Sequence, residues 1–277
     1  MARYRGRIAP SPTGYLHLGH AQTFLTAQNR AREHGGELVL RIEDLDRDRC
    51  RVEFRDAIIE DLRWFGLRWN EGPDTGGPHA PYVQSQRDYF ATWEKLRAGG
   101  FIYPCQCSRR DVRESLVAPH EQATHDDEPL YSGKCRPPRG TIVPACSPTG
   151  VNWRFRVPDG ETVSFRDARL GEQTAVAGRD FGDFVVWRKD NIPAYQLAVV
   201  ADDAAMQISE VVRGEDLLVS TFRQLLIYRA LELEPPAFFH CPLLTDENGQ
   251  RLAKRHESLS LRTLRERGAA PESLRSE

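Results

Sequence analysis

His17-Leu18-Gly19-His20 sets two imidazoles around a glycine, after a turn held by Pro10, Pro12 and Gly14 and just before a helical pattern. A helix N-terminus presents unpaired N–H groups and a partial positive charge, which suits a phosphate. Histidines three apart share one side of the first turn. A glycine between them leaves the backbone open to a flat group such as adenine. Both imidazoles can donate to the oxygens of a phosphate under attack, where negative charge builds. Two ordinary surface or core histidines are the plain alternative, and the turn-to-helix placement favours the phosphate grip. A second cationic element, Arg251, Lys254 and Arg255 in "GQRLAKRHESL", lies near the other end of the chain. Mobile cations there would close over a triphosphate and neutralise departing pyrophosphate. The reading is an ATP site of His17, Gly19, His20 and Lys254, with His17, His20 and Lys254 as its catalytic groups.

Six cysteines form the other chemical signal: Cys50, Cys105, Cys107, Cys135, Cys146 and Cys241. Cys105-Gln-Cys107 offers two thiolates from one turn, and Cys135 a third. In a cytosolic chain such a cluster reads as tetrahedral zinc, closed and structural, pinning a loop-rich segment with little core of its own. Cys146 and His120 are the natural fourth donors on the residues alone.

The elements that must position these groups are legible in the periodicity. A short strand over 3–9, a helix carrying Ala21, Phe24, Leu25, Gln28 and Ala31, a stop at Gly35-Gly36 and the apolar run Leu38, Val39, Leu40, Ile42 make a βαβ unit. The leading architecture is α/β, a Rossmann-type parallel-sheet nucleotide-binding core. Helices follow over 51–68 and 86–98, separated by the turn-rich "EGPDTGGPHAP". Residues 103–190 then read as an inserted α+β subdomain: a cysteine- and proline-rich zinc-binding segment, then a β-hairpin in "NWRFRVPDGETVSFRD", with Trp153, Phe155 and Val157 alternating before a Pro-Asp-Gly turn. The catalytic domain would thus run over 1–102 and resume over 191–277. The 277 residues are 40% hydrophobic with a formal net charge of −2, enough for a large core and without the global basic footprint of a bulk nucleic-acid binder. No apolar run reads as a signal peptide or bilayer span, so a cytoplasmic protein is expected, and a monomer.

"PSPTGYLHLGH" resembles the HIGH signature of class I aminoacyl-tRNA synthetases, and "RLAKR" a degenerate KMSKS loop with Arg251 for a lysine and Ala253 for a serine. "RGRIAPSPTGYLHLGHAQTFL", "LRIEDLDRDR", "YQLAVVADD" and "VVRGEDLLVSTFRQ" are similar to the glutamyl branch, in its order and over nearly the whole chain. The resemblance implies that Arg7, Ala9 and Ser11 line the amino acid and that Glu43 holds its α-ammonium. It further implies that Tyr195 closes the pocket and Arg213 reads the side-chain carboxylate. Two arginines there would favour glutamate over glutamine, whose amide leaves a guanidinium unpaired. The plainer readings pair Arg213 with Glu215 or Asp216 and make Tyr195 a core aromatic. The same resemblance points to Tyr131, in "YSGKC", as the fourth zinc ligand.

Only about 22 residues follow Arg255, enough for one helix, so no anticodon-binding domain is expected. That points to the short paralogue family that activates L-glutamate with ATP and Mg²⁺, without tRNA, and transfers it to queuosine at the wobble position of tRNA(Asp). The alternatives are a truncated glutamyl-tRNA synthetase charging the tRNA 3′ end, a small-molecule adenylyltransferase, and a non-catalytic RNA-binding paralogue.

Overall fold

The computed structural model describes residues 3–108, 130–243 and 260–275. The first βαβ unit is β1 (Arg5–Ile8), α1 (Leu18–Glu33) and β2 (Glu37–Leu40), with β1 and β2 parallel and Arg5 opposite Glu37. α1 stops where Gly35 takes a left-handed φ of 57°, and the Gly35 and Gly36 N–H groups donate to Arg32 and Ala31 carbonyls at 3.0 and 2.8 Å. A side chain at Gly36 would also run into the Tyr4 carbonyl, 2.4 Å from an ideal Cβ. Ala21, Phe24, Leu25, Ala27 and Ala31 bury one face of α1. Phe24 and Leu25 each contribute roughly 1.5–3 kcal/mol by that burial.

Two further helices, α2 (Val52–Trp64) and α3 (Phe90–Ala98), precede β3 (Ile102–Cys105) and β4 (Asn152–Phe155). Then come β5 (Thr162–Asp167), β6 (Gly171–Val176), β7 (Phe184–Arg188) and β8 (Ile192–Pro193). The chain closes with α4 (Tyr195–Ala205), β9 (Glu210–Gly214), α5 (Leu218–Ala230), β10 (Ala237–Cys241) and α6 (Leu261–Glu266). β9, β10 and β5 run parallel, and β6 pairs antiparallel with β5. β1 and β2 form a two-stranded sheet of their own, held next to β9 where the Ser209 N–H donates to the Arg5 carbonyl at 2.9 Å. A separate antiparallel sheet has the order β3-β4-β7-β8.

The expected hairpin across Pro158-Asp159-Gly160 is not what forms. β4 pairs with β3 and β7, whereas β5 leaves for the parallel sheet and makes its own hairpin with β6. The tighter turn lies at Asp167–Gly171. Asp167 Oδ1 accepts the Arg169 and Leu170 N–H groups at 3.0 and 2.9 Å, and Gly171 supplies the positive φ of 75°. Within the expected insertion, β5 and β6 thus pair into the sheet of β9 and β10, while β4 and β7 stay in the antiparallel one.

One apolar cluster joins α3, the antiparallel sheet, α4 and α5 through Trp93, Trp153, Phe155, Leu197, Phe222 and Leu226. Trp93 meets Trp153 edge-on at 4.9 Å. A second cluster fills the space under α1 and α2 with Ile8, Leu40, Ile58, Leu62 and Phe65.

Candidate active site

The functional groups gather where the parallel strands end, the edge at which open α/β sheets bind ligands. The loop after β1 holds Ala9, half-buried, and Ser11, exposed, and ends at His17, the N-cap of α1. α1 starts at Leu18, so Gly19 and His20 sit in its first turn, which carries no acidic residue to oppose an anion. His17 is half-buried and His20 exposed. Across from them, Ser260 forms an antiparallel bridge with His17, and the Leu261 N–H donates to the Leu16 carbonyl at 2.8 Å. α6 is clamped to α2 by Arg262 and Arg265 on Glu60, at 2.7 and 2.8 Å. Arg251, Lys254 and Arg255 lie outside the described residues, but Ser260 and Leu261 beyond them are joined to Leu16 and His17 at the N-terminal end of α1.

Beside this lies a buried charged assembly. Arg41, wholly buried, reaches Glu43 at 3.0 Å and Asp203 at 2.7 Å. Asp202 takes Arg87 at 2.7 Å and Gln84 at 2.8 Å. Arg7 donates to the Val212 carbonyl at 2.9 Å and stands 3.6 Å from Asp203. Burial raises the carboxyls of Glu43 and Asp202, against the pull of Arg41. Burial alone would lower the Arg41 guanidinium, but Asp203, Glu43 and Asp202 outweigh it and hold it well above its ordinary value.

Arg213, on β9, is different. It is buried, and its hydrogen-bond partners among the described residues are neutral: Thr221 Oγ1 at 2.7 Å and His240 Nε2 at 3.3 Å, with the Tyr195 hydroxyl also drawn towards it. Its Nη1 is buried with no hydrogen-bond partner, whereas Arg7 Nε, also without a hydrogen bond, faces Asp203 Oδ1 at 3.6 Å. Glu215 pairs with Arg169 instead. Burial lowers the guanidinium, opposed by nearby Tyr195. The Tyr195 ring is 36% exposed, but its hydroxyl end is enclosed, and burial pushes the phenol up against the pull of Arg213. A buried cation with an unsatisfied N–H is costly unless a carboxylate arrives to meet it.

Arg7 on β1, Glu43 just beyond β2, Tyr195 at the start of α4 and Arg213 on β9 are therefore near enough to act on one another's charge. Arg41, Asp202, Asp203, Thr221 and His240 complete the pocket around them and were not singled out from the sequence. Two aspartates inside the otherwise apolar α4 pattern, and a histidine inside "FFHC", were the available signals.

Away from this pocket, the Cys105, Cys107 and Cys135 sulfurs lie within 4.8 Å of one another. The Tyr131 hydroxyl is 3.3 Å from Cys105 Sγ and 3.6 Å from Cys107 Sγ, and accepts the Cys135 N–H at 2.8 Å. Burial raises the Cys107 thiol. Burial opposes ionisation of Cys135 too, but hydrogen bonding by Tyr131 and the Gln106 backbone draws it down to about 7. Three soft donors with a phenol beside them fit a tetrahedral zinc site. Cys146 is exposed and outside the group, and His120 lies outside the described residues.

Residues 3–276 match the family model described as tRNA synthetases class I (E and Q), catalytic domain. The chain belongs to this family. Like other class I synthetases of the E and Q group, it is a ligase by descent, and its parallel sheet is the family's catalytic-domain sheet. It is 48% identical over 271 residues to a protein of Nitratidesulfovibrio vulgaris called glutamyl-Q tRNA(Asp) synthetase, covering 95% of this chain and 82% of that one. A protein of the same name from Symbiobacterium thermophilum is 47% identical over 273 residues, covering 97% and 83%. The glutamate–tRNA ligase of Aquifex aeolicus is 42% identical over 279 residues, covering 99% of this chain and 56% of that one. The crystal structure of glutamate–tRNA synthetase from Elizabethkingia anophelis superposes with a TM-score of 0.80 at 31% identity, over 92% of this chain and 53% of that one. This class I chain thus spans about half the length of that solved structure. No helix among the described residues is long and apolar enough to cross a membrane.

Proposed function

We propose that this chain activates L-glutamate with ATP, without tRNA, and transfers it to queuosine at the wobble position of tRNA(Asp). The observation that carries the amino-acid half is the buried Arg213 guanidinium, whose Nη1 lacks a hydrogen-bond partner, with Arg7, which leans 3.6 Å from Asp203, as a second cation close by. A carboxylate satisfies both arginines as acceptor, whereas an amide presents donors of its own. Glu43 supplies the anion for the α-ammonium, and Tyr195 covers the mouth.

In the first step the glutamate α-carboxylate attacks the α-phosphorus of ATP, taken as its magnesium complex, and pyrophosphate leaves. The N-terminal amides of α1 with His17, Gly19 and His20 stabilise the phosphate, and Lys254 the departing pyrophosphate. In the second step a hydroxyl of the queuosine ring attacks the activated carbonyl, and AMP leaves. Positioning and electrostatics carry both steps, with no covalent enzyme intermediate. Cys105, Cys107, Cys135 and Tyr131 would hold one structural zinc, which ties the 105–135 segment to β3.

The nucleoside acceptor is supported by the name of the two relatives at 48% and 47% identity. Charging of the tRNA 3′ end is the second reading, favoured by the 42% identity to a glutamate–tRNA ligase. Incubation with ATP, labelled glutamate and tRNA bearing queuosine separates the two. Label on the anticodon nucleoside supports the proposal, label on the terminal adenosine supports the second reading, and no glutamyl-adenylate at all refutes both.

A further inference from the structure

We propose that Asp167 and His240 act as a positioning pair: Asp167 imposes one imidazole tautomer, and that tautomer holds Arg213 by Nε so that Nη1 faces the substrate carboxylate. The inference rests on reading Arg213 as the anchor for that carboxylate, and names the residues that aim it.

The pairing begins with strand register. β5 meets β10 with Asp167 opposite Phe238, which places the aspartate beside the residues that follow on β10. Asp167 Oδ2 lies 2.7 Å from His240 Nδ1, and both side chains are wholly buried. The same oxygen accepts the His240 backbone N–H at 3.1 Å, while Oδ1 accepts from Arg169 and Leu170 in the β5–β6 turn. A carboxylate ringed by donors is an acceptor only, so His240 Nδ1 carries the proton.

The other imidazole nitrogen meets a second set of constraints. His240 Nε2 is 3.3 Å from Arg213 Nε and 3.0 Å from Thr221 Oγ1. A guanidinium N–H can only donate, so Nε2 must offer its lone pair. Thr221 Oγ1 accepts from Arg213 Nη2 at 2.7 Å, and its own proton has the imidazole at 3.0 Å as a nearer acceptor than the Leu217 carbonyl at 3.4 Å. Each arginine nitrogen is then assigned: Nε to His240, Nη2 to Thr221, and Nη1 to whatever enters the pocket. The reversed tautomer would set N–H against N–H at Arg213 and a lone pair against the carboxylate at Asp167. Phe238 lies nearly parallel to the imidazole, at 6.3 Å and 18°, so packing helps hold the ring plane as well.

The test has a spectroscopic arm and a kinetic arm. In protein carrying ¹⁵N-histidine, one buried imidazole should show a protonated Nδ1 and a bare Nε2, and that signal should be the one lost in His240→Phe. A protonated Nε2 at His240 overturns the proposal, and this measurement needs only the wild-type fold. In ATP–pyrophosphate exchange, His240→Phe should raise the KM for glutamate roughly 10- to 100-fold, the loss expected for a hydrogen bond to a charged group, and leave the KM for ATP unchanged. His240→Gln, whose side-chain carbonyl can accept from Arg213 Nε, should recover most of the loss. Equal rises in both KM values, or a glutamine variant no better than phenylalanine, would count against the positioning role. Wild-type protein inert towards glutamate would defeat the reading of the pocket, while the imidazole signature would still decide the tautomer.

Discussion

Replacing Arg213 with glutamine removes a buried guanidinium that has no carboxylate partner among the described residues. Among the described residues its partners are Thr221 and His240, both neutral acceptors that a glutamine amide can partly serve. The folded protein without ligand therefore loses little and gains relief from a buried, half-satisfied charge. The substrate loses much more, because its side-chain carboxylate would enter a closed site with one of its cations missing. Breaking a buried ion pair by deleting one partner costs about 3–5 kcal/mol, or roughly two to three and a half powers of ten in binding. Pyrophosphate exchange, with glutamate and ATP varied separately, should show that loss in the glutamate kcat/KM and almost none in the KM for ATP. Glutamine should lose far less ground than glutamate, since its amide no longer faces an unpaired guanidinium. The melting temperature of the free variant should stay at or above that of the wild type, and the rise induced by glutamate should vanish. Equal losses for both substrates, or a sharply less stable free protein, would refute the assignment of Arg213 to the carboxylate.

Three further outcomes are expected. Cys107→Ser should lower the bound metal from about one zinc per chain and lower the melting temperature, whereas Cys146→Ser should do neither, since Cys146 is exposed and outside the cluster; metal analysis and calorimetry check this. His240 resists protonation when folded because burial lowers it below its ordinary 6.5, so the unfolded chain binds the extra proton. Stability is then fully present above about pH 6.5 and falls on acidification. His240→Phe should flatten the dependence of unfolding free energy on pH over this range, and an unchanged slope would refute the buried neutral imidazole. Trp93→Ala should cost about 3–5 kcal/mol in chemical denaturation, because the indole is wholly buried against Trp153 where three elements meet. A loss under about 1 kcal/mol would mean that the antiparallel sheet and the parallel core are not coupled through it.

Local signals set by neighbours in the chain were readable. The 3.6-residue spacing of Ala21, Phe24, Leu25 and Ala31, the Gly35-Gly36 stop and the apolar strand after it all have causes within a few residues. So does the placement of His17, Gly19 and His20, since a helix start is a local event. The Cys105-Gln-Cys107 pair likewise declares its donors by type and spacing. Long-range pairing was not readable, because nothing within a strand says which edge it will join. The turn at Pro158-Asp159-Gly160 looks like a hairpin, yet β4 and β5 enter different sheets, since β5 finds β6 through a tighter Asp167 turn and β10 from the far end of the chain. The same register decides that Asp167 meets His240, and that Arg7, Arg41, Asp203 and Arg213 share one buried volume. Sequence determined which residues were able to do chemistry. Tertiary structure decided which Arg213 nitrogen lacks a partner, because that depends on His240, 27 positions on, and on Asp167, 73 positions from His240, just as it brought Arg7 to Val212 across 205 positions at 2.9 Å.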